Sequence, residues 1–253
     1  MIAHRIIPLV LGRLHLELGL MTYRLNYGVR EWLPIVAWYI EGPQEHILVD
    51  SGISAADMAW YTDTPSEDLQ TFEEALARVG RTPDDIDLVI QTHLHCDHVG
   101  NTPRCTRAKV VVQRSELAYA QAPHPMQGYL YNPEVLRGLR FQVVEGDREI
   151  VPGVEVIHLP SHTPGTQAVS VTTRAGRAVI SGMCCIGQNF APPKPAKWPQ
   201  QRHWWEVTPP GNFLNLYEAF DSTLRLKGLA DILLPQHDPS LFQITEIPAP
   251  EGD

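Results

Sequence analysis

The sequence predicts an α/β fold in which two β-sheets pack face to face with helices outside them. Two observations predict it. Short apolar, β-branched and aromatic runs fill both halves of the 253-residue chain, and helical patterns fall between and after them. No linker-like stretch interrupts the order, so residues 1–253 read as one domain, long enough to bury a sizeable core.

In chain order, residues 5–16 alternate loosely around Pro8 and Gly12. They predict an opening strand, at a sheet edge because Pro8 has no N–H to give to a ladder. Residues 20–34 are aromatic and irregular, with Tyr23, Tyr27 and Trp32 among Asn26, Gly28 and Pro34. They fit a core-packing loop, the wall of a pocket or a dimer contact. Residues 35–40 and 46–49 read as strands joined by a Gly42-Pro43 turn. The stripe Leu69, Phe72, Ala75, Leu76 and Val79 predicts an amphipathic helix over 66–79, stopped by Gly80. Thr82-Pro83-Asp84-Asp85 is a capped turn into a buried strand containing Ile86, Leu88, Val89 and Ile90. Residues 109–113 are the next strand, followed by a short helix with Ser115 as N-cap. Residues 121–140, with Met126, Tyr129 and Tyr131, form an irregular insertion. Residues 141–144, 154–158, 167–172 and 177–181 read as strands, the last two joined by an Arg174-Ala175-Gly176 hairpin turn. A helix over 211–228 and a strand over 232–234 complete the pattern.

Composition narrows the partners. The net charge is −9 and the basic residues are scattered, which argues against nucleic acid as the main partner. No apolar run approaches the roughly 20 residues of a membrane span. The start, Met1-Ile2-Ala3-His4-Arg5, lacks the long apolar region of a signal peptide. Cys96, Cys105, Cys184 and Cys185 are not spaced as a disulfide framework, so the cytoplasm is the expected compartment. Nothing in the pattern encodes an oligomeric state.

The chemistry concentrates in Thr92-His93-Leu94-His95-Cys96-Asp97-His98-Val99-Gly100-Asn101, directly after the buried strand. In an extended chain alternate side chains point the same way, so His93 and His95 share one side. A turn after them lets Asp97 and His98 face the same point from another direction. Two pairs of ligands aimed at one spot suit two cations about 3.5–4 Å apart.

This His-x-His-x-Asp-His motif after a strand resembles the signature of the metallo-β-lactamase-fold superfamily. The resemblance continues through Leu48-Val49-Asp50-Ser51-Gly52, Leu159-Pro160-Ser161-His162-Thr163-Pro164-Gly165 and Leu234-Pro235-Gln236-His237-Asp238-Pro239. Within the superfamily, His237-Asp238 and Gln188-Asn189-Phe190 are most similar to N-acyl-homoserine lactonases. The resemblance implies a four-layer αβ/βα sandwich. It implies that His93, His95 and His162 hold one metal and that Asp97, His98 and His237 hold a second. Asp50 would support the metal loop from outside the ligand shell. Asp97 would also shuttle a proton to the leaving group. Such a donor set suits zinc, as one ion or two, and accepts iron, cobalt or manganese.

One departure stands out. Dinuclear members of that family bridge the metals with an aspartate after the strand that here ends Ile180-Ser181-Gly182. This chain continues Met183-Cys184-Cys185, and neither Gly182 nor Met183 can bridge. Cys184 is the candidate replacement, as a thiolate, with Cys185 reached by a one-residue difference in register. A water bridge, a single metal, or two cysteines that are merely small buried apolar residues are the alternatives.

The resemblance therefore implies a metal-dependent hydrolase that opens a small cyclic ester, a lactone, or a related amide. A mononuclear iron oxygenase of the same fold and a metal-binding protein without turnover are the other expectations. The pocket is expected to be apolar and aromatic, with Tyr23, Tyr27, Trp32, Met126, Tyr129, Phe190, Trp204 and Trp205 as candidate walls.

Overall fold

The structure, a computed structural model, describes residues 3–42, 45–193 and 206–249. Trp204 and Trp205 lie outside the described residues. The chain opens with β1 (Arg5–Glu17), β2 (Arg30–Glu41) and β3 (His46–Val49), then a short helix α1 (Ala55–Met58) and β4 (Ser66–Asp68). Next come α2 (Phe72–Ala77), β5 (Leu88–Ile90), α3 (Cys96–Val99), β6 (Lys109–Gln113), α4 (Arg114–Gln121), α5 (Pro133–Leu136) and β7 (Arg140–Val144). The second sheet uses β8 (Arg148–Val151), β9 (Val154–His158), β10 (Gln167–Thr173) and β11 (Gly176–Ile180). Helix α6 (Leu216–Leu229) and β12 (Ile232–Leu234) complete it.

The first sheet has the order β4-β1-β2-β3-β5-β6-β7 and the second β12-β11-β10-β9-β8. Alternation on the strands separates the layers. On β2, Val36, Trp38 and Ile40 turn inward to meet Val156, Val169, Val171 and Ile180 of the second sheet. Their neighbours Ala37 and Tyr39 turn outward, onto Phe72, Ala75 and Leu76 of α2. On the far side Ile157, Ala168 and Val179 meet Leu226 of α6. Helix, sheet, sheet and helix are the four layers of an αβ/βα sandwich.

Several elements depart from what the sequence pattern predicts. The helix expected over 66–79 is confined to Phe72–Ala77, because Ser66–Asp68 pairs with β1 at Leu14, Arg13 and Gly12. Thr71 and Glu74 close a reciprocal cap there, leaving Leu69 exposed. Ser115 does not cap α4. The N-cap is Gln113, and the Ser115 hydroxyl donates to the Pro164 carbonyl instead.

Strand β2 begins at Arg30, so Trp32 and Pro34 belong to a strand rather than an irregular loop. Pro34, paired with Arg13 of β1, is tolerated because among the described residues no strand pairs with the other edge of that stretch of β2, and its carbonyl accepts there from His237 Nδ1 at 3.2 Å. Strand β8 has no counterpart among the predicted elements, and α6 starts at Leu216, capped by Asn215.

Candidate metal centre

The ligand candidates stand at the carboxyl ends of strands, where the backbone leaves the ladder and side chains are free to converge. β5 delivers His93 and His95, α3 carries Asp97 and His98, and the loop from β9 to β10 carries His162. The loop after β12 carries His237. The ligand atoms of His93, His95 and His162 all lie within 4.8 Å of one another, and so do those of Asp97, His98 and His237. All five histidines are buried, and Asp97 is the partly exposed member.

Hydrogen bonding settles which ring nitrogens are free. Asp50 is backbone-strained, at φ +55°, and wholly buried. Its carboxylate accepts from Thr92 N–H and Thr92 Oγ1–H, both at 2.8 Å, and from Gln236 Nε2 at 3.2 Å. The fourth donor is His98 Nδ1 at 2.7 Å, which leaves His98 Nε2 as the ring nitrogen turned toward Asp97. Since the Thr92 hydroxyl gives its proton to Asp50, His93 Nδ1 must donate to Thr92 Oγ1 at 3.1 Å, freeing His93 Nε2. His237 Nδ1 donates to the Pro34 carbonyl, freeing its Nε2. Trp38 Nε1 in turn donates to Gln236 Oε1 at 3.3 Å.

The free nitrogens then meet. His93 Nε2 and His162 Nε2 are 3.0 Å apart. Two nitrogens on one tetrahedral zinc at about 2.0–2.1 Å stand roughly 3.3 Å apart, so this spacing fits a shared cation. Among the described residues, buried His95 Nε2 and His98 Nε2 have no hydrogen-bond partner. Buried polar atoms of that kind are costly unless something else binds them, so the donor set fits metal.

Electrostatics divides the centre. Burial, and then the neighbouring rings, push His93 and His162 well below their ordinary values. Burial takes His95 down to about 3, against the pull of Asp97. These three rings are neutral, the form that binds metal. Burial also opposes charge on His98, but Asp97 and Asp50 overcome it and raise the ring to about 10. Burial likewise works against the Asp97 carboxylate, and His98, at 3.4 Å, outweighs it and holds the group well below the usual range.

The strand end expected to carry a bridge does not carry one. Gly182 sits at φ +65°, and a Cβ there would lie 2.2 Å from the Gln167 carbonyl oxygen and 2.8 Å from Thr92 Cβ. Met183 is fully buried in the outer cluster beside α6 and takes a Thr223 hydroxyl on its sulfur at 3.8 Å. Cys184, the candidate thiolate, feels the charge of Asp97, yet its Sγ belongs to neither three-ligand group. Its side chain packs beside Leu18, Met21, Leu33 and Ile186 instead. Cys185 faces the other way and gives its thiol proton to Ser181 Oγ at 3.1 Å.

The aromatic candidates scatter. Tyr129 lines a cavity of ≈ 540 Å³ together with Trp60, Tyr61, Asn132 and Tyr131, whose ring meets His95 edge-on at 4.9 Å. Tyr23 lines a separate cavity of ≈ 480 Å³ with Val207, Tyr217 and Phe220. Tyr27 and Met126 are exposed, and Trp32 packs on His15 and under Arg13. Phe190 is buried against Leu226 and Met183 in the outer cluster.

Sequence reasoning missed Glu116 entirely. Its carboxylate is fully buried on α4 between the loop of His93 and His95 and the loop of His162. Burial raises its carboxyl above the ordinary value, against four hydrogen-bond donors. The available signal was a lone acid on the buried face of a short helix, which a sequence offers without its partners.

The family model of the metallo-beta-lactamase superfamily matches residues 30–182. The N-acyl homoserine lactonase AiiA of Bacillus thuringiensis subsp. kurstaki is 31% identical over 181 residues, 67% of this chain and 70% of that protein. The solved structure of an N-acyl homoserine lactone hydrolase with the product N-hexanoyl-L-homoserine bound at its catalytic metal centre superposes with a TM-score of 0.76. It is 26% identical and covers 96% of each chain. AidC, a dizinc quorum-quenching lactonase, shares the fold at a TM-score of 0.66 and 16% identity, over 94% of this chain and 88% of that one. The chain belongs to the metallo-beta-lactamase superfamily, as a member of its N-acyl homoserine lactonase-like group.

Proposed function

We propose that this protein is a metal-dependent hydrolase that opens the ring of an N-acyl homoserine lactone or a similar small lactone. The observation that carries the reading is the convergence of two buried three-ligand sets, His93/His95/His162 and Asp97/His98/His237, at the strand ends of this fold. The lactonases among its relatives support the lactone as substrate. Two divalent cations held there would supply hydroxide at neutral pH and polarise the ester carbonyl. Imidazole nitrogens with one carboxylate favour zinc for that role.

The chain's own residues do the rest. Asp97 is held as a carboxylate beside His98 and keeps an edge toward solvent, so it can take up a proton and return it to the alkoxide that leaves. Tyr131, packed on His95 and lining the larger cavity, places an apolar ring where water must be excluded from the carbonyl. The four cysteines are free thiols, which supports the reducing cytoplasm as the working compartment. Among the described residues, no helix is long and apolar enough to cross a membrane.

The test is proton release from N-hexanoyl homoserine lactone in a pH-stat, with chelated protein and zinc add-back as paired arms. Steady release that chelation abolishes and zinc restores is expected. No release by protein carrying its metal would sink the proposal.

A further inference from the structure

Two of the three rings in the neutral set lack a support of their own. Among the described residues no hydrogen bond orients the His95 ring, and the His162 ring has only its contact with His93, its Nδ1 being buried and unpartnered. Ligating histidines ordinarily donate the second ring nitrogen to a partner that fixes their aim. Here the aim must come from the backbone and from packing.

Both routes lead to Glu116. Its Oε1 accepts from the N–H of Leu94, between His93 and His95, at 2.9 Å, and from the Tyr131 hydroxyl at 3.2 Å. Its Oε2 accepts from Thr163 Oγ1 at 2.6 Å and from the N–H of Gly165 at 3.2 Å, on the loop of His162. Tyr131 is the ring packed on His95. A Cβ on Gly165 would lie 2.2 Å from the Glu116 backbone nitrogen, so only glycine lets the His162 loop close on α4. All four partners are neutral donors, and a carboxylate is the species that accepts from all four. Its place in the first turn of α4 favours that anion.

We propose that Glu116 is the positioning residue of the three-histidine set, a buried carboxylate that fixes His95 and His162 by holding Leu94, Thr163, Gly165 and the Tyr131 ring together. This rests on reading those histidines as a metal site. Glu116 touches neither substrate nor metal. It acts by keeping two loops and one ring in register, so that three nitrogens from two distant stretches of chain remain at coordinating distance. The same carboxylate adds a buried negative charge behind the set, which a dication in front of it would offset.

The experiment is a cobalt titration of chelated wild type, Glu116→Gln and Tyr131→Phe, followed by visible absorption and paired with thermal unfolding of each metal-depleted protein. Glu116→Gln turns an amide N–H₂ against two donors while keeping volume. It should weaken the first metal about 10- to 100-fold, and alter the cobalt spectrum even at saturation. Tyr131→Phe keeps the ring on His95 and removes one donor, and should weaken that metal about three- to tenfold. If Glu116 only anchored α4, the melting temperature would fall while affinity and saturated spectrum stayed at wild type, and that result overturns the proposal. Should Glu116→Gln fail to fold, an unchanged affinity in Tyr131→Phe overturns it equally. A wild type that takes up no cobalt would instead overturn the metal centre itself, and this proposal with it.

Discussion

His93, His95 and His162 face one another as three neutral rings, whereas His98 faces two carboxylates, Asp97 and Asp50. The first half of the centre is assembled by backbone and packing, with burial keeping its rings unprotonated. The second is assembled by charge: Asp50 fixes His98 from behind while Asp97 flanks its free nitrogen. A cation entering the first half meets lone pairs ready for it. A cation entering the second meets a ring already held between two carboxylates, Asp50 at 2.7 Å and Asp97 at 3.4 Å. With no carboxylate shared by the two ligand groups among the described residues, the two metals should bind unequally, the three-histidine half filling first.

The largest expected effect breaks that half. His162→Ala removes one of the three proposed ligands, whose ligand atoms lie within 4.8 Å of one another. It should cost on the order of a thousandfold in turnover and at least a hundredfold in affinity for the first metal. His237→Ala should leave the first metal within about threefold of wild type while the second is lost. Metal titration with stoichiometry by elemental analysis separates the two. Equal losses in both variants would mean that the halves are one cooperative site.

A smaller effect is expected at Asp50, the residue that makes the second half. Asp50→Asn replaces one acceptor oxygen with a donor facing donors, among them His98 Nδ1, Thr92 and Gln236. The second metal should weaken about 10- to 100-fold, and the first by less, since His93 reaches Asp50 only through Thr92. Equal weakening of both metals would move Asp50 from the second half to the centre as a whole.

Substitutions at the empty bridge position should be felt chiefly as stability. Gly182→Asp forces a Cβ into the Gln167 carbonyl at a left-handed φ, and Met183→Asp buries a carboxylate among Leu226, Phe190 and Val179. Each should destabilise the fold by about 2–4 kcal/mol without tightening the second metal. Urea unfolding read beside the metal titration checks both parts. A tighter second metal in either variant would show that this strand end can turn toward the centre.

The comparison between halves also marks what the sequence could disclose. Motif residues report themselves because ligand types are rare and their local spacing is short: His93 to His98 span six positions, and β5, β6, β9 and β12 fall on predicted runs. What stayed hidden depends on long-range closure. Glu116 is an ordinary helix residue until Gly165 packs on it, 49 positions later. Trp32 and Phe190 look like pocket aromatics until β2 is extended to pair with β1 and α6 covers the second sheet. The break between β4 and α2 was legible in principle, since Thr71-x-x-Glu74 is a capping box, but the apolar stripe through Leu69 masked it.

The smallest expected effect is at Cys184. A thiolate there would put an anion between the two halves, and would erase the asymmetry inferred above. The geometry argues against it: Cys184 Sγ is in neither ligand set, its side chain packs with Leu18, Met21 and Leu33, and burial followed by Asp97 raises its thiol well above the ordinary value. Serine keeps the size and loses the soft sulfur, so Cys184→Ser should leave both affinities within about threefold of wild type. The cobalt-loaded wild type should likewise lack a sulfur-to-cobalt charge-transfer band. A band present in wild type and missing from Cys184→Ser, with the second metal weakened alone, would place the thiolate in the shell. The two halves would then differ in which anion joins them rather than in whether one does.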